Sequence, residues 1–174
     1  RRTMKIREIF HRKTKEAKEA ETVEICHERF GQCVLEKDDW GAFMLILPSL
    51  PFGKHEDVEI ELDVTEEKIA AAVRCLAEIY DGQESYLTKF YEGILSFCEE
   101  WEETDSEGNA VTMELVEKNG SLFRVLVQEG GEGNMVISFS GMMFDDEGEE
   151  LLGCHSVIME IDCATGEIGY DLEG

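Results

Sequence analysis

Between Val58 and Val64 the chain alternates without a break, Val-Glu-Ile-Glu-Leu-Asp-Val, and after Thr65 its apolar period lengthens from two residues to about 3.6. The first period predicts a strand with Val58, Ile60, Leu62 and Val64 on one face and Glu59, Glu61 and Asp63 on the other. Such a strand is stable only when something covers its apolar face. The second period predicts that cover, because Ile69, Val73, Leu76, Ala77 and Tyr80 recur on one side of a helix. Strands, then helices, then strands make an α+β arrangement.

The rest of the chain fits this frame. Period-two segments over Val23–His27, Gly31–Glu36 and Gly41–Leu47 predict strands, separated by turn residues at Lys37-Asp38-Asp39. Thr65 is placed to cap the first central helix, and Asp81-Gly82 to end it. A second helix over Ser85–Glu103 carries Tyr86, Phe90, Ile94, Phe97 and Trp101 along one side, an aromatic stripe that reads as core packing against the sheet. Residues Val111–Lys118 satisfy neither period cleanly. Leu122–Gln128 and Met135–Ser140 read as a hairpin around Gly130–Gly133, and Cys154–Asp162 and Glu167–Leu172 as a second. Short connections favour antiparallel pairing. The expected architecture is therefore α+β, antiparallel sheet with two central helices packed on one face. Residues 1–21 are expected to form a basic N-terminal helix with Ile6, Ile9, Phe10, Ala17 and Ala20 on one side, and residues 22–174 a single domain.

Charge is unevenly spread. Residues 1–29 hold 9 of the 16 Lys and Arg, leaving 34 acidic against 7 basic side chains from Phe30 onward, a net of −27. A hydrophobic content of 43% and nine phenylalanines set this chain apart from a disordered acidic tail. The acidity therefore belongs to the surface of a folded body. Such a surface repels nucleic acid and anionic lipid and attracts basic proteins. No run approaches the ~20 apolar residues that cross a bilayer, and no apolar core follows the basic N-terminus as in a secretory signal. The first methionine is Met4, which leaves room for a cleaved leader.

The six cysteines include no C-x-x-C pair, and Cys75 and Cys98 fall inside the two central helices, so they read as reduced, mostly buried thiols of a cytoplasmic protein. Cys26-His27 and Cys154-His155 contain nucleophile and base types. On a strand, however, neighbours point to opposite faces, so neither dipeptide forms a pair by itself. The loop Asp145-Asp146-Glu147-Gly148-Glu149-Glu150 is rich in oxygen ligands yet lacks EF-hand spacing. The glycines at 130–133 open no helix and so form no phosphate cradle. No metal and no cofactor is expected. Candidate partner-contacting residues are Glu59, Glu61 and Asp63 with Asp145, Asp146, Glu147, Glu149 and Glu150. His155 and Ser156 form a candidate polar site, functional or structural.

The run Phe144-Asp-Asp through Leu152-Gly-Cys-His-Ser-Val157, Ile161-Asp, Gly166-Glu-Ile and Leu172-Glu-Gly174 resembles the C-terminal part of the bacterial domain of unknown function family 2262. The upstream order is similar as well: Trp40-Gly41, an acidic alternating strand, two helices and Trp101. The resemblance departs at Cys154, where glycine is expected, and at Leu152, where an aromatic is. It implies no catalytic residue. Small acidic bacterial domains of this kind resemble immunity proteins, which implies a non-catalytic protein-binding module. The alternative is a metal-dependent or Cys/His enzyme built on the Gly-Cys-His-Ser segment at 153–156.

Overall fold

Eight strands lie side by side in their order along the chain, in a computed structural model that describes residues 21–46 and 50–174. The expected basic helix at the N-terminus lies outside the described residues. The strands are β1 (Thr22–His27), β2 (Gly31–Lys37), β3 (Phe43–Ile46), β4 (Glu59–Asp63), β5 (Ser121–Glu129), β6 (Met135–Met142), β7 (Ser156–Asp162) and β8 (Ile168–Glu173). Every neighbouring pair is antiparallel except β4 and β5, which run parallel. A parallel joint needs a long crossover, and the helices supply it. They are α1 (Ile69–Asp81), α2 (Gln83–Glu100) and a short α3 (Met113–Asn119). The protein is thus α+β, with an open, mostly antiparallel sheet and three helices.

The helical layer covers one face. Helix α1 touches β1, β5 and β6, while α2 touches β7. Alternation sends Cys33, Leu35, Phe43, Ile60, Leu62, Val125, Val127, Ile137, Phe139, Met159 and Ile161 toward it, all buried. Phe139 is fully buried and meets Phe52 and Phe90 edge-to-face, with ring centroids 5.6 and 6.1 Å away. This aromatic cluster joins the sheet, α2 and the loop after β3. Phe90 reaches it because β6 carries Gly141, where a Cβ would collide with the Phe90 ring.

Several expectations need correction. Thr65 does not cap α1 through its side chain. Its hydroxyl instead donates to Glu129 Oε1 (3.2 Å), and a turn of 3₁₀ helix, Glu66–Lys68, leads into α1. Helix α2 stops at Glu100, so Trp101 leaves the helical phase and is 43% exposed rather than core. Tyr91 takes a buried place that the aromatic stripe did not include. The ambiguous segment is α3, started by Thr112, whose hydroxyl accepts from Leu115 N (3.3 Å). All six cysteines are free, but Cys26 and Cys154 are exposed, so the thiols are less uniformly buried than expected.

Candidate functional site: the carboxylate face of the sheet

The face turned away from the helices is where the candidate carboxylates of β4 lie. Glu59, Glu61 and Asp63 alternate with buried Ile60 and Leu62, as the period requires. Strand register extends the pattern across the sheet. One row runs Thr22, Glu36, Met44, Glu61, Leu126, Ser138, Glu160 and Gly169, one residue from each strand. A second runs Glu59, Arg124, Ser140, Ile158 and Asp171, and a third Asp63, Gln128, Val136 and Asp162. With Glu24 and Glu173, the strands send nine carboxylates to this side. Arg124 is the one basic residue among those outward positions.

Along the long row neutral residues separate the carboxylates: Met44 stands between Glu36 and Glu61, and Leu126 and Ser138 between Glu61 and Glu160. Two strand spacings are about 10 Å, close to the screening length of physiological salt, so repulsion across the row is tolerable. The half-buried Val34, Met44, Leu126, Val136 and Ile158 make the face amphipathic rather than merely charged. At its centre Ser140 is 1% exposed. Among the described residues its Oγ has no hydrogen-bond partner, and neither has Nε of Arg124, its cross-strand neighbour. Nothing in the sequence marks Ser140 or Arg124, because both depend on strand register.

The acidic loop 145–150 stands apart from this face. Its first aspartate works for the fold: Asp145 is buried, and its Oδ1 accepts from Glu147 N and Glu149 N, both at 2.9 Å. Asn119 Nδ2 donates to the Asp145 carbonyl (2.7 Å), fastening the loop to the end of α3. A second loop of the same build lies beside it. Asp105 Oδ1 accepts from Glu107 N and Asn109 N (2.9 and 2.8 Å), and Ser106 N donates to Asp146 Oδ1 (3.1 Å). Hydrogen bonds from Asn109 hold the Asp105 carboxyl below its ordinary pKa, and those from Ser106 do the same for Asp146. Glu147, Glu149 and Glu150 are exposed. Among the described residues no hydrogen bond joins this loop to Glu59, Glu61 or Asp63, so the two candidate patches are separate.

His155 follows a left-handed turn. Leu152, Gly153 and Cys154 all have positive φ (58°, 59° and 66°), a conformation that costs a non-glycine residue about 1 kcal/mol or more. Leu152 accepts that strain while fully buried, with its N–H donating to Glu103 Oε1 (2.8 Å). His155 Nδ1 donates to the Leu152 carbonyl (2.8 Å), and the Trp101 ring meets the imidazole edge-on at 5.3 Å. Cys154 lies in this turn, not on a strand, and Glu150 pushes its thiol pKa up, which disfavours the thiolate a nucleophile needs. Ser156 begins β7 on the outward face, paired with Glu173. His155 and Ser156 therefore point different ways. Among the described residues no three His, Cys, Asp or Glu side chains are placed to hold a metal ion, and no helix is long and apolar enough to cross a membrane.

A different polar cluster is better connected. Leu122 N donates to His55 Nδ1 (3.4 Å), which leaves Nε2 to donate to the Tyr91 hydroxyl (2.7 Å). Lys54 donates to the carbonyls of Glu117 and Lys118 at the end of α3. Burial, with help from Lys54, lowers the His55 pKa to about 4, and burial raises that of Tyr91 to about 12. Both groups stay neutral at physiological pH, which suits a clamp between loop, helix and β5.

Comparison with family models, curated proteins and solved structures finds no match, so the site must be judged on its own geometry.

Proposed function

We propose that this protein is a non-catalytic binding module that docks a basic protein on the carboxylate face of its sheet. The observation that carries the reading is the face itself: nine outward carboxylates with one arginine, interleaved with half-buried Val34, Met44, Leu126, Val136 and Ile158. Charge of one sign over a broad surface speeds and orients association, while the apolar residues supply contact once the partner has arrived. The resemblance to family 2262, and through it to immunity proteins, is compatible with neutralising a basic partner.

The test uses a defined probe. A lysine-rich amphipathic peptide is titrated into the wild-type protein and into a Glu59→Lys/Glu61→Lys/Asp63→Lys variant, at low and at high salt. The reading expects binding to the wild type that weakens steeply with salt, and loss of that binding in the variant. Equal binding to both proteins removes this face from consideration. A Glu147→Lys/Glu149→Lys/Glu150→Lys variant tests the exposed part of the acidic loop in the same way.

A further inference from the structure

We propose that Cys75 and Cys163 are a redox couple, forming on oxidation a disulfide that staples α1 to the end of β7. Cys75 lies in the middle of α1 and Cys163 in the turn that follows β7, far apart in sequence. Both thiols are free and half-buried, and their side chains share a hydrogen bond. Both also pack against the same hydrophobic core. The alternation of β7 explains how they meet. Val157, Met159 and Ile161 are buried on the helix side, and Cys163 is the next position on that side.

The surroundings suit bond formation. A disulfide brings its sulfurs to about 2.05 Å, closer than a hydrogen-bond contact, so one side chain must move inward. Helix α1 stays where Ala72, Val73 and Leu76 hold it, each fully buried. Cys163 has the freedom of a turn, its backbone joined to β6 by the hydrogen bond from its N–H to the Met135 carbonyl (3.0 Å). The two flanking segments are therefore held close while one sulfur can shift.

The oxidant is hydrogen peroxide. The Cys75 thiolate attacks one peroxide oxygen, the O–O bond breaks, and the departing hydroxide takes a proton to become water. This leaves a sulfenic acid on Cys75. The Cys163 sulfur then attacks the Cys75 sulfur, the S–O bond breaks, and a second water leaves with the Cys163 proton. Two thiols lose two electrons and one peroxide becomes two waters. Burial holds both thiols above their ordinary pKa, Cys163 at about 12, while the hydrogen bond from Cys163 draws Cys75 back down. Cys75 is therefore the sulfur that ionises first, and scarce thiolate makes the couple a slow staple rather than a fast sensor. The loop it closes takes in α2, α3, β5, β6 and β7, so the constraint on the unfolded chain is large. Neither thiol lies on the carboxylate face, which makes the inference independent of the docking function.

The experiment oxidises the full chain with hydrogen peroxide at mildly alkaline pH, alkylates the remaining thiols under denaturing conditions and maps the peptides by mass spectrometry. The expected product joins the peptides of Cys75 and Cys163 within one molecule and disappears on treatment with dithiothreitol. The oxidised protein should melt on the order of 10 °C above the reduced one. Cys75→Ser and Cys163→Ser should each lose both the linked peptide and the shift. The map is made on the wild type, so it stands even if a variant folds poorly. Three outcomes overturn the inference: both thiols alkylated after the exposed Cys26 and Cys154 have been oxidised, either thiol joined to a different cysteine or to a second copy, or the linked peptide formed with no rise in the melt.

Discussion

The ring of Tyr170 on β8 lies against Gly93 of α2, where the missing side chain lets it reach the helix backbone, and its hydroxyl donates to the Lys89 carbonyl (2.9 Å). This contact fastens the last strand, an edge of the sheet, to the helical layer. It also explains a glycine inside a helix, which by itself costs about 1 kcal/mol relative to alanine.

Gly93→Ala should therefore destabilise the protein by about 1–3 kcal/mol despite its better helix propensity, because the new methyl displaces the Tyr170 ring. In a Tyr170→Ala background the same change should become neutral or stabilising. Chemical denaturation of the four proteins in this cycle checks the sign reversal.

Phe139 fills the centre of the aromatic cluster with none of its surface exposed. Phe139→Ala should cost about 3–5 kcal/mol, and Phe139→Leu clearly less, since leucine leaves the smaller cavity. The midpoints of urea unfolding read both.

His55 makes stability depend on pH. Burial depresses its folded-state pKa from 6.5 to about 4, so between these values the unfolded chain binds the extra proton. The contribution is fully present above pH 6.5 and is lost as the pH falls toward 4. Because the residue is only half-buried, the full linkage value is discounted to about 1–2 kcal/mol. His55→Gln keeps an acceptor for Leu122 N and a donor for Tyr91 without titrating. The stability difference between wild type and this variant should shift by that amount, against the wild type, across the window. Taking the difference cancels the titration of the many carboxylates common to both.

The acidic loop should divide by role. Asp145→Ala removes the acceptor for two backbone N–H groups and should cost about 1–2 kcal/mol, whereas Glu147→Ala and Glu149→Ala should leave stability within about 0.5 kcal/mol. Thermal melts separate the carboxylate that builds the loop from those that face solvent.

Local periodicity carried most of the element assignments. The alternation from Val58 to Val64 placed Ile60 and Leu62 in the core and Glu59, Glu61 and Asp63 outside it, and the spacing of Ile69, Val73, Leu76 and Ala77 set the buried side of α1. Reading failed where a side chain's fate depends on where an element ends. Trp101 continues the stripe of α2 in sequence, but one residue past Glu100 the backbone leaves helical geometry and the ring turns to His155. Thr65 has the chemistry of a cap, yet Glu129, distant in sequence, takes its hydroxyl.

The sequence by itself determined the α+β class, the segregation of basic and acidic residues, and an acidic surface around an apolar core, because each follows from neighbours along the chain. Tertiary structure alone decided that β4 and β5 pair in parallel, that nine carboxylates from five strands share one face, and that Ser140 and Arg124 meet at its centre. Those are matters of register between segments far apart in sequence. A slip of one residue in a single strand exchanges its two faces, and no local pattern records which pairing the whole sheet makes most stable.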